Sequence, residues 1–171
     1  MAEALKIYNR ADIVNFMKVD DGYKRMQGFT EGGKSLNSTT YDRRYIDEKT
    51  ERSTVTGYST EIAYSFDRIV DNAIHEKIAK IHDDELVGES VEILTVNMTT
   101  KEARLRNYSV IPDTDGDSTD AYTYSGTFHA DGDNIVGTAE VATDGMTATF
   151  TEEGASQANA QSDEQEEGAE G

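Results

Sequence analysis

Hydrophobic side chains recur at every second position over much of the chain, which is the spacing of half-buried β-strands. The clearest case is 59–66, where Ile62, Tyr64 and Phe66 alternate with Glu61 and small residues. Other segments rich in β-branched or aromatic residues lie between clusters of turn-forming residues. We predict strands at 23–29, 91–98, 103–111, 121–130, 134–142 and 146–150. At 12–17 the pattern does not separate a first strand from a short helical turn.

One segment has the spacing of an amphipathic helix instead. Isoleucines and an alanine recur there every three or four residues, with charged residues largely on the other side; they are Ile69, Ala73, Ile74, Ile78 and Ile81. Asp67 or Asp71 is expected to favour the start, and Gly88 is expected to follow the end. We predict a helix over about 68–86. Together the elements predict a mainly β or α+β fold, an antiparallel β-sandwich or barrel with one flanking helix.

A long segment between two predicted strands, 30–52, lacks a clear period and predicts a long inter-strand loop. It is rich in Gly, Ser, Thr and charges of both signs. Loops of this length inside a compact domain are usually functional or disordered. Tyr41 and Tyr45, beside Arg43 and Arg44, favour a contact surface, because interfaces are enriched in amphipathic aromatic residues and arginine.

Length and charge distribution divide the chain into a domain and a tail. The 171 residues fit one domain, which we place at 1–151. Residues 152–171 contain seven acidic residues, no basic residue and no apolar residue larger than Ala, so we predict an acidic disordered tail. With a formal net charge of -18, the chain should repel a polyanion, and we expect no gripping of DNA phosphates.

Several patterns resemble sites of chemistry, but each lacks part of what that chemistry needs. The letters of a phosphate loop run from Gly28 to Ser35, yet no strand–loop–helix succession surrounds them. The acidic stretch starting at Asp113 lacks the sixth-position Gly and twelfth-position Glu of a calcium loop. His75 and His82 are seven apart, not four, His129 has no nucleophile elbow, and the chain has no Cys. We predict no enzyme, no catalytic residues, no metal and no cofactor.

No stretch is apolar enough to cross a bilayer, and the segment MAEALKIYNR does not have the pattern of a signal peptide. We expect a soluble protein that is made in the cytoplasm and does not insert into membranes.

Three runs in order give the sequence a family likeness: MQGFTEGGKSLN from Met26, YDRRYIDEKTERSTVTGYSTEIAYSFDR from Tyr41, and AIHEKIAKIHDDELVGE from Ala73. They resemble the tail tube (major tail) proteins of long-tailed bacteriophages, particularly those of Gram-positive hosts. The resemblance covers roughly 9–150 and not the acidic tail. It implies a β-sandwich subunit that forms hexameric rings, stacked into the tube through which DNA passes to the host.

The resemblance also implies an extended loop that reaches the next ring. The alternative is a solvated, flexible loop tip. Residues expected to make subunit contacts are Lys34, Tyr41, Arg43, Arg44, Tyr45, Asp47, Glu48 and Arg52.

A weakly repulsive bore would let DNA pass without adhesion. By strand alternation, the candidates to line it are Glu61, Glu92 and Glu140, although each could instead face outwards.

The implied partners are further copies of the chain and other tail proteins: tape measure, tail terminator and distal tail. The implied location is the tail of the virion, assembled in the host cytoplasm. Alternatives are a head-to-tail connector, the inner tube of a contractile tail, or an unrelated non-viral binding module.

Overall fold

The computed structural model describes residues 5–154, and most of them lie in antiparallel β-strands with a single α-helix. This confirms the predicted fold class. The predicted tail lies outside the described residues, apart from 152–154. The described residues divide into two compact units. The first takes residues up to 27, 91–107 and those from 132 on; the second takes 28–90 and 108–131.

The first unit is a closed antiparallel sheet. Its strands are β1 (Ile13–Val19), β2 (Gly22–Arg25), β8 (Ser90–Asn97), the first part of β9 (Glu102–Asp115), β11 (Ile135–Val141) and β12 (Thr147–Glu152). They are ordered β11-β12-β2-β1-β8-β9. Because β9 also pairs with β11, the set closes on itself. Its core consists of Val14, Phe16, Leu94, Val96, Ala103, Ala139 and Ala148.

The undecided segment 12–17 is strand β1, preceded by the short 3-10 turn Arg10–Asp12. Alternation fails there for a physical reason. Phe16 and Met17 are adjacent and point to opposite faces, yet both are fully buried. A strand that is buried on both faces shows no polar side in its sequence.

The second unit packs a helix, α1 (Ala73–Asp83), on a sheet. The sheet has the order β9-β10-β7-β3 and consists of the end of β9, β10 (Thr123–Ala130), β7 (Glu61–Asp67) and β3 (Phe29–Glu31); β4 (Lys34–Ser35) also pairs with β7. The core is aromatic. Phe66 stacks on Tyr124 with ring centroids 5.5 Å apart, Tyr64 stacks on Phe128 at 4.3 Å, and His75 of α1 stacks on Phe66 at 4.4 Å.

The helix is shorter at both ends than the predicted 68–86. Its N-cap is Asn72, whose side-chain oxygen accepts hydrogen bonds from the backbone N–H groups of Ile74 and His75 at 3.1 and 3.3 Å. Asp71 has the left-handed φ of 62°, so the helix cannot begin earlier. Asp84 is the C-cap, and Glu85 has φ 51°.

Much of the predicted long loop is a β-hairpin. Strands β5 (Ser38–Arg43) and β6 (Arg52–Tyr58) pair as a separate two-stranded sheet. We call residues 38–58 the exposed hairpin. All six residues of β5 are exposed, and in β6 only Gly57 is partly buried, so the hairpin projects from the second unit. The sequence signal is weak because the hairpin has no core face to impose alternation.

The described part of the chain contains no helix with the length and apolar character that a membrane crossing needs.

Candidate assembly surfaces

The exposed hairpin is anchored to the second unit at its base. The backbone N–H of Ser59 donates to the carbonyl of Asn37 at 3.0 Å, and the side-chain amide of Asn37 donates to Oε1 of Glu61 at 2.9 Å. These bonds hold the two ends of the hairpin together beside the first residue of β7. The hairpin therefore leaves the second unit from a hydrogen-bonded base.

Seven of the eight predicted contact residues lie on the hairpin. Lys34 does not, because it belongs to β4 and pairs with Ile62 of β7. On the hairpin, Arg43 and Arg52 face each other across the strands, an unfavourable pairing of like charges. Arg52 is compensated by a two-point ion pair with Glu48, in which Nε donates to Oε2 at 2.8 Å.

Arg43 and Arg44 have no such compensation. Arg43 donates to the Tyr41 hydroxyl at 2.9 Å and lies 5.7 Å from the ring centroid of Tyr45. Neither arginine forms an ion pair with an acidic residue among residues 5–154. The two aromatic rings are about half exposed. We call residues 43–52 the tip of the hairpin. It offers two guanidinium groups without an ion-pair partner within residues 5–154, beside accessible aromatic surface, and Asp47 lies exposed in the same turn.

Sequence reasoning missed part of this surface. Val55 and Tyr58 of β6 are 48% and 62% exposed and add apolar area to the hairpin. The β-branched and aromatic content of STVTGY was the available signal for a strand here.

The second candidate surface is the side of the β7–β10 pair opposite the helix. We call it the polar sheet face and define it by Glu61, Ala63, Ser65, Asp67, Thr123, Ser125, Thr127 and His129. These positions alternate with the inward-facing residues Ile62, Tyr64, Phe66, Tyr124, Gly126 and Phe128. None is Lys or Arg, and most side chains are small.

Hydroxyl groups on this face are held by neighbouring acceptors. The Thr123 hydroxyl donates to Oδ1 of Asp67 at 2.8 Å, and the Ser125 hydroxyl lies 2.6 Å from that of Thr114 on β9. The Ser59 hydroxyl lies 3.2 Å from Nε2 of His129. A surface of this kind offers carboxylates and occupied hydroxyl groups, with no lysine or arginine to grip phosphate.

The three predicted bore residues occupy different environments. Glu61 lies on the polar sheet face. Glu140 is exposed on β11, opposite Thr149 of β12. Glu92 shares its strand face with the core residue Leu94, and its Oε2 lies 3.1 Å from both Nζ of Lys18 and the Tyr23 hydroxyl.

The Tyr23 environment shows that Glu92 belongs to a partly buried cluster. Burial, followed by the negative charge of Glu92, raises the pKa of Tyr23 to about 12. Because Lys18 neutralises it locally, Glu92 would contribute less than Glu61 to the field of a bore.

Residues 5–154 contain no cluster of three or more His, Asp or Glu side chains suited to hold a metal ion.

The sequence matches no protein-family model and no curated protein. Its fold is similar to that of a chain in the structure "Virion of native gene transfer agent (GTA) particle", with a TM-score of 0.54, 15% sequence identity, and coverage of 76% of this chain and 98% of that chain. It is also similar to a chain in "Tail of empty GTA particle computed with helical refinement, C6 symmetry", with a TM-score of 0.55, 14% identity, and coverage of 75% and 97%. The chain thus shares its fold with a protein found in the tail of a gene transfer agent particle.

Proposed function

We propose that the protein is a structural subunit of the tail tube of a bacteriophage or phage-like particle. In this proposal six copies close into a ring, rings stack into a hollow tube, and genomic DNA passes along the bore. The long-tailed phage type, the Gram-positive host and assembly in the host cytoplasm belong to the same proposal. So do contacts with the tape measure, tail terminator and distal tail proteins.

The observation that carries the proposal is the fold shared with a chain of a C6-symmetric tail over nearly all of that chain's length. The exposed hairpin supports it independently. A two-stranded hairpin is marginally stable alone in water, so one that projects without burial is explained most simply by a contact with another molecule.

The polar sheet face supports DNA passage without adhesion. Duplex DNA is held mainly by Lys and Arg that displace condensed counterions from phosphates. A bore lined by Glu61, Asp67 and hydroxyl groups would repel the phosphates weakly and offer no basic side chain of β7 or β10. The protein then acts by assembly and transforms no substrate.

The test is to excise the hairpin. Asn37 and Ser59 are already joined by a backbone hydrogen bond, so a short Gly-Ser linker can replace residues 38–58. We expect the wild-type protein to form rings and tubes as concentration rises, in negative-stain images and by sedimentation velocity. We expect the excised variant to keep its melting temperature and to form rings that do not stack.

Two results would contradict the proposal. One is a wild-type protein that remains monomeric at every concentration and salt condition. The other is an excised variant that builds tubes as readily as the wild type.

A further inference from the structure

Two exposed features of the second unit leave its sheet at opposite ends. In the β7–β10 pair, Glu61 lies opposite His129 at one end and Asp67 lies opposite Thr123 at the other. Seven residues of strand separate these ends by about 20 Å. The exposed hairpin is anchored beside Glu61. The connection from β9 to β10 lies at the Asp67 end, since it leads directly into Thr123.

This connection is strongly acidic. We call 116–122 the acidic loop; it contains Asp117 and Asp120 and no basic residue, and it directly follows Asp113 and Asp115 at the end of β9. None of the four forms an ion pair within residues 5–154. The negative charge at this end of the sheet affects a neighbouring group. The charge of Asp115 is the largest cause that raises the pKa of the Tyr122 hydroxyl above its ordinary value.

The basic residues of the chain lie away from the acidic loop in the sequence. Every Lys and Arg lies at or before Arg106, so residues 107–154 contain ten acidic side chains and no lysine or arginine. The exposed hairpin is different: four acidic and four basic residues make it neutral in a chain of net charge -18. Apart from Glu48 and Arg52, its charged residues form no ion pair within residues 5–154, and they carry both signs: Asp42, Arg43, Arg44, Asp47, Lys49 and Glu51. The adjacent Arg43 and Arg44 have the sign that the acidic loop attracts.

We propose that the tip of the exposed hairpin docks on the acidic loop of a second copy in the next ring, with Arg43 and Arg44 placed against Asp117 and Asp120. This deepens the proposed function and rests on it. A stack needs a contact between two different surfaces at opposite ends of the subunit. The base of the hairpin and the acidic loop lie at opposite ends of the β7–β10 pair of the second unit and so offer two such surfaces.

The same charges give the stack a direction. Two acidic loops repel each other, and Arg43 and Arg44 repel their own copies, whereas the head-to-tail arrangement pairs these arginines with the acidic loop. Unfavourable alternatives of this kind set specificity as effectively as favourable contacts do. Since these groups are exposed, the contact weakens as salt screens it.

Charge reversal tests the pairing. Arg43→Glu with Arg44→Glu should raise the concentration needed for stacking by about tenfold or more, while rings still form. Asp117→Lys with Asp120→Lys should do the same, because neither carboxylate makes a hydrogen bond or ion pair among residues 5–154. The matched control is Lys101→Glu with Arg104→Glu, two exposed basic residues of the first unit, which should leave stacking unchanged.

The decisive experiment mixes the two charge-reversed variants, Arg43→Glu with Arg44→Glu and Asp117→Lys with Asp120→Lys. Each alone has like charges at positions 43 and 44 and at positions 117 and 120, whereas in the mixture positions 43 and 44 of each protein meet opposite charges at positions 117 and 120 of the other. We expect tubes of wild-type length from the mixture, measured by negative-stain microscopy, with stacking that weakens between 50 mM and 500 mM NaCl. Equal melting temperatures of all variants would establish that folding is intact.

The outcomes are separable. Stacking in the mixture but in neither reversed protein alone supports the pairing. Tubes from either reversed protein alone, or failure of the mixture while wild-type tubes form, overturns it and leaves the proposed function standing. A mobility shift of a 30-base-pair duplex that Arg43→Glu with Arg44→Glu abolishes assigns the tip to nucleic acid and also overturns it. Wild-type protein that forms no rings overturns both proposals.

Discussion

The second unit contains two β structures that differ in how much of their side-chain surface is buried. In the pairing of β7 with β10, covered by α1, the aromatic residues Tyr64, Phe66 and Phe128 are at most 1% exposed. In the exposed hairpin, 38–58, every side chain except Glu48 is exposed. The first structure is stabilised by burial within the chain. The second buries almost nothing, so its sequence is free to serve a contact outside the chain.

The largest expected effect is the loss of an aromatic ring from the buried pair. Phe66 is fully buried and stacks on His75 and Tyr124. Phe66→Ala removes those contacts and leaves a cavity, which should lower the free energy of unfolding by about 3–5 kcal/mol. Tyr58→Ala, at 62% exposure on the hairpin, should change it by less than about 0.5 kcal/mol.

Urea denaturation monitored by circular dichroism measures both variants. Equal decreases in the free energy of unfolding of the two variants would contradict the proposed difference between the packed sheet and the hairpin.

A glycine in each structure gives the next comparison. A Cβ at Gly126 of β10 would lie 2.4 Å from the carbonyl oxygen of Ile111 and 2.5 Å from the Tyr64 hydroxyl. Gly126→Ala should therefore force a backbone shift and lower stability by about 1–3 kcal/mol. A Cβ at Gly57 of the hairpin meets nothing within 4 Å, so Gly57→Ala should be close to neutral. Thermal melting of the two proteins side by side distinguishes them, and a stable Gly126→Ala protein would count against the close approach of β9, β10 and β7.

The smallest expected effect is a dependence of stability on pH that arises only in the packed structure. Burial lowers the pKa of His82, and its Nε2 lies 2.8 Å from the Tyr64 hydroxyl. The unfolded chain then binds a proton more readily than the folded one. Stability from this group is complete above the unfolded pKa near 6.5 and is lost as pH falls from there through the folded pKa.

His82→Gln should flatten the fall in melting temperature between pH 7 and pH 5. The proposed tube stacking should keep its dependence on salt, because the hairpin proposed to make it contains no histidine. A pH profile that His82→Gln leaves unchanged would assign the effect to other groups.

The sequence predicts the packed sheet better than the hairpin, because only the packed sheet has a buried face that imposes alternation on its sequence. The alternation of Ile62, Tyr64 and Phe66 records a strand with one buried face, and the fold class is confirmed. The hairpin has no buried face, so only its β-branched residues and the arginines signal it. Alternation also does not predict the partly buried environment of Glu92. Its strand is buried on both faces, with Val91 and Leu94 at most 2% exposed. Pairings such as Gly126 with Tyr64 depend on register, which one-dimensional periodicity does not contain.

The sequence singles out the candidate contact residues as a group because tyrosine and arginine cluster in one segment, and their role in contacts stays a prediction. The sequence alone does not show that Arg52 forms an ion pair with Glu48 while Arg43 and Arg44 do not. That difference is visible only in the folded hairpin. The acidic loop is visible in the sequence as a stretch without basic residues, and its spacing does not fit a calcium loop. Its position at the opposite end of the sheet follows from the strand register alone.

The central claim is that copies of this chain assemble into a hollow sixfold tube, and cryo-electron microscopy of the assembled protein tests it most directly. We predict stacked six-membered rings whose bore is lined by the polar sheet face around Glu61, with each hairpin in contact with the adjacent ring. A particle without sixfold symmetry, or a sixfold tube whose bore is lined by lysine and arginine, would contradict the account.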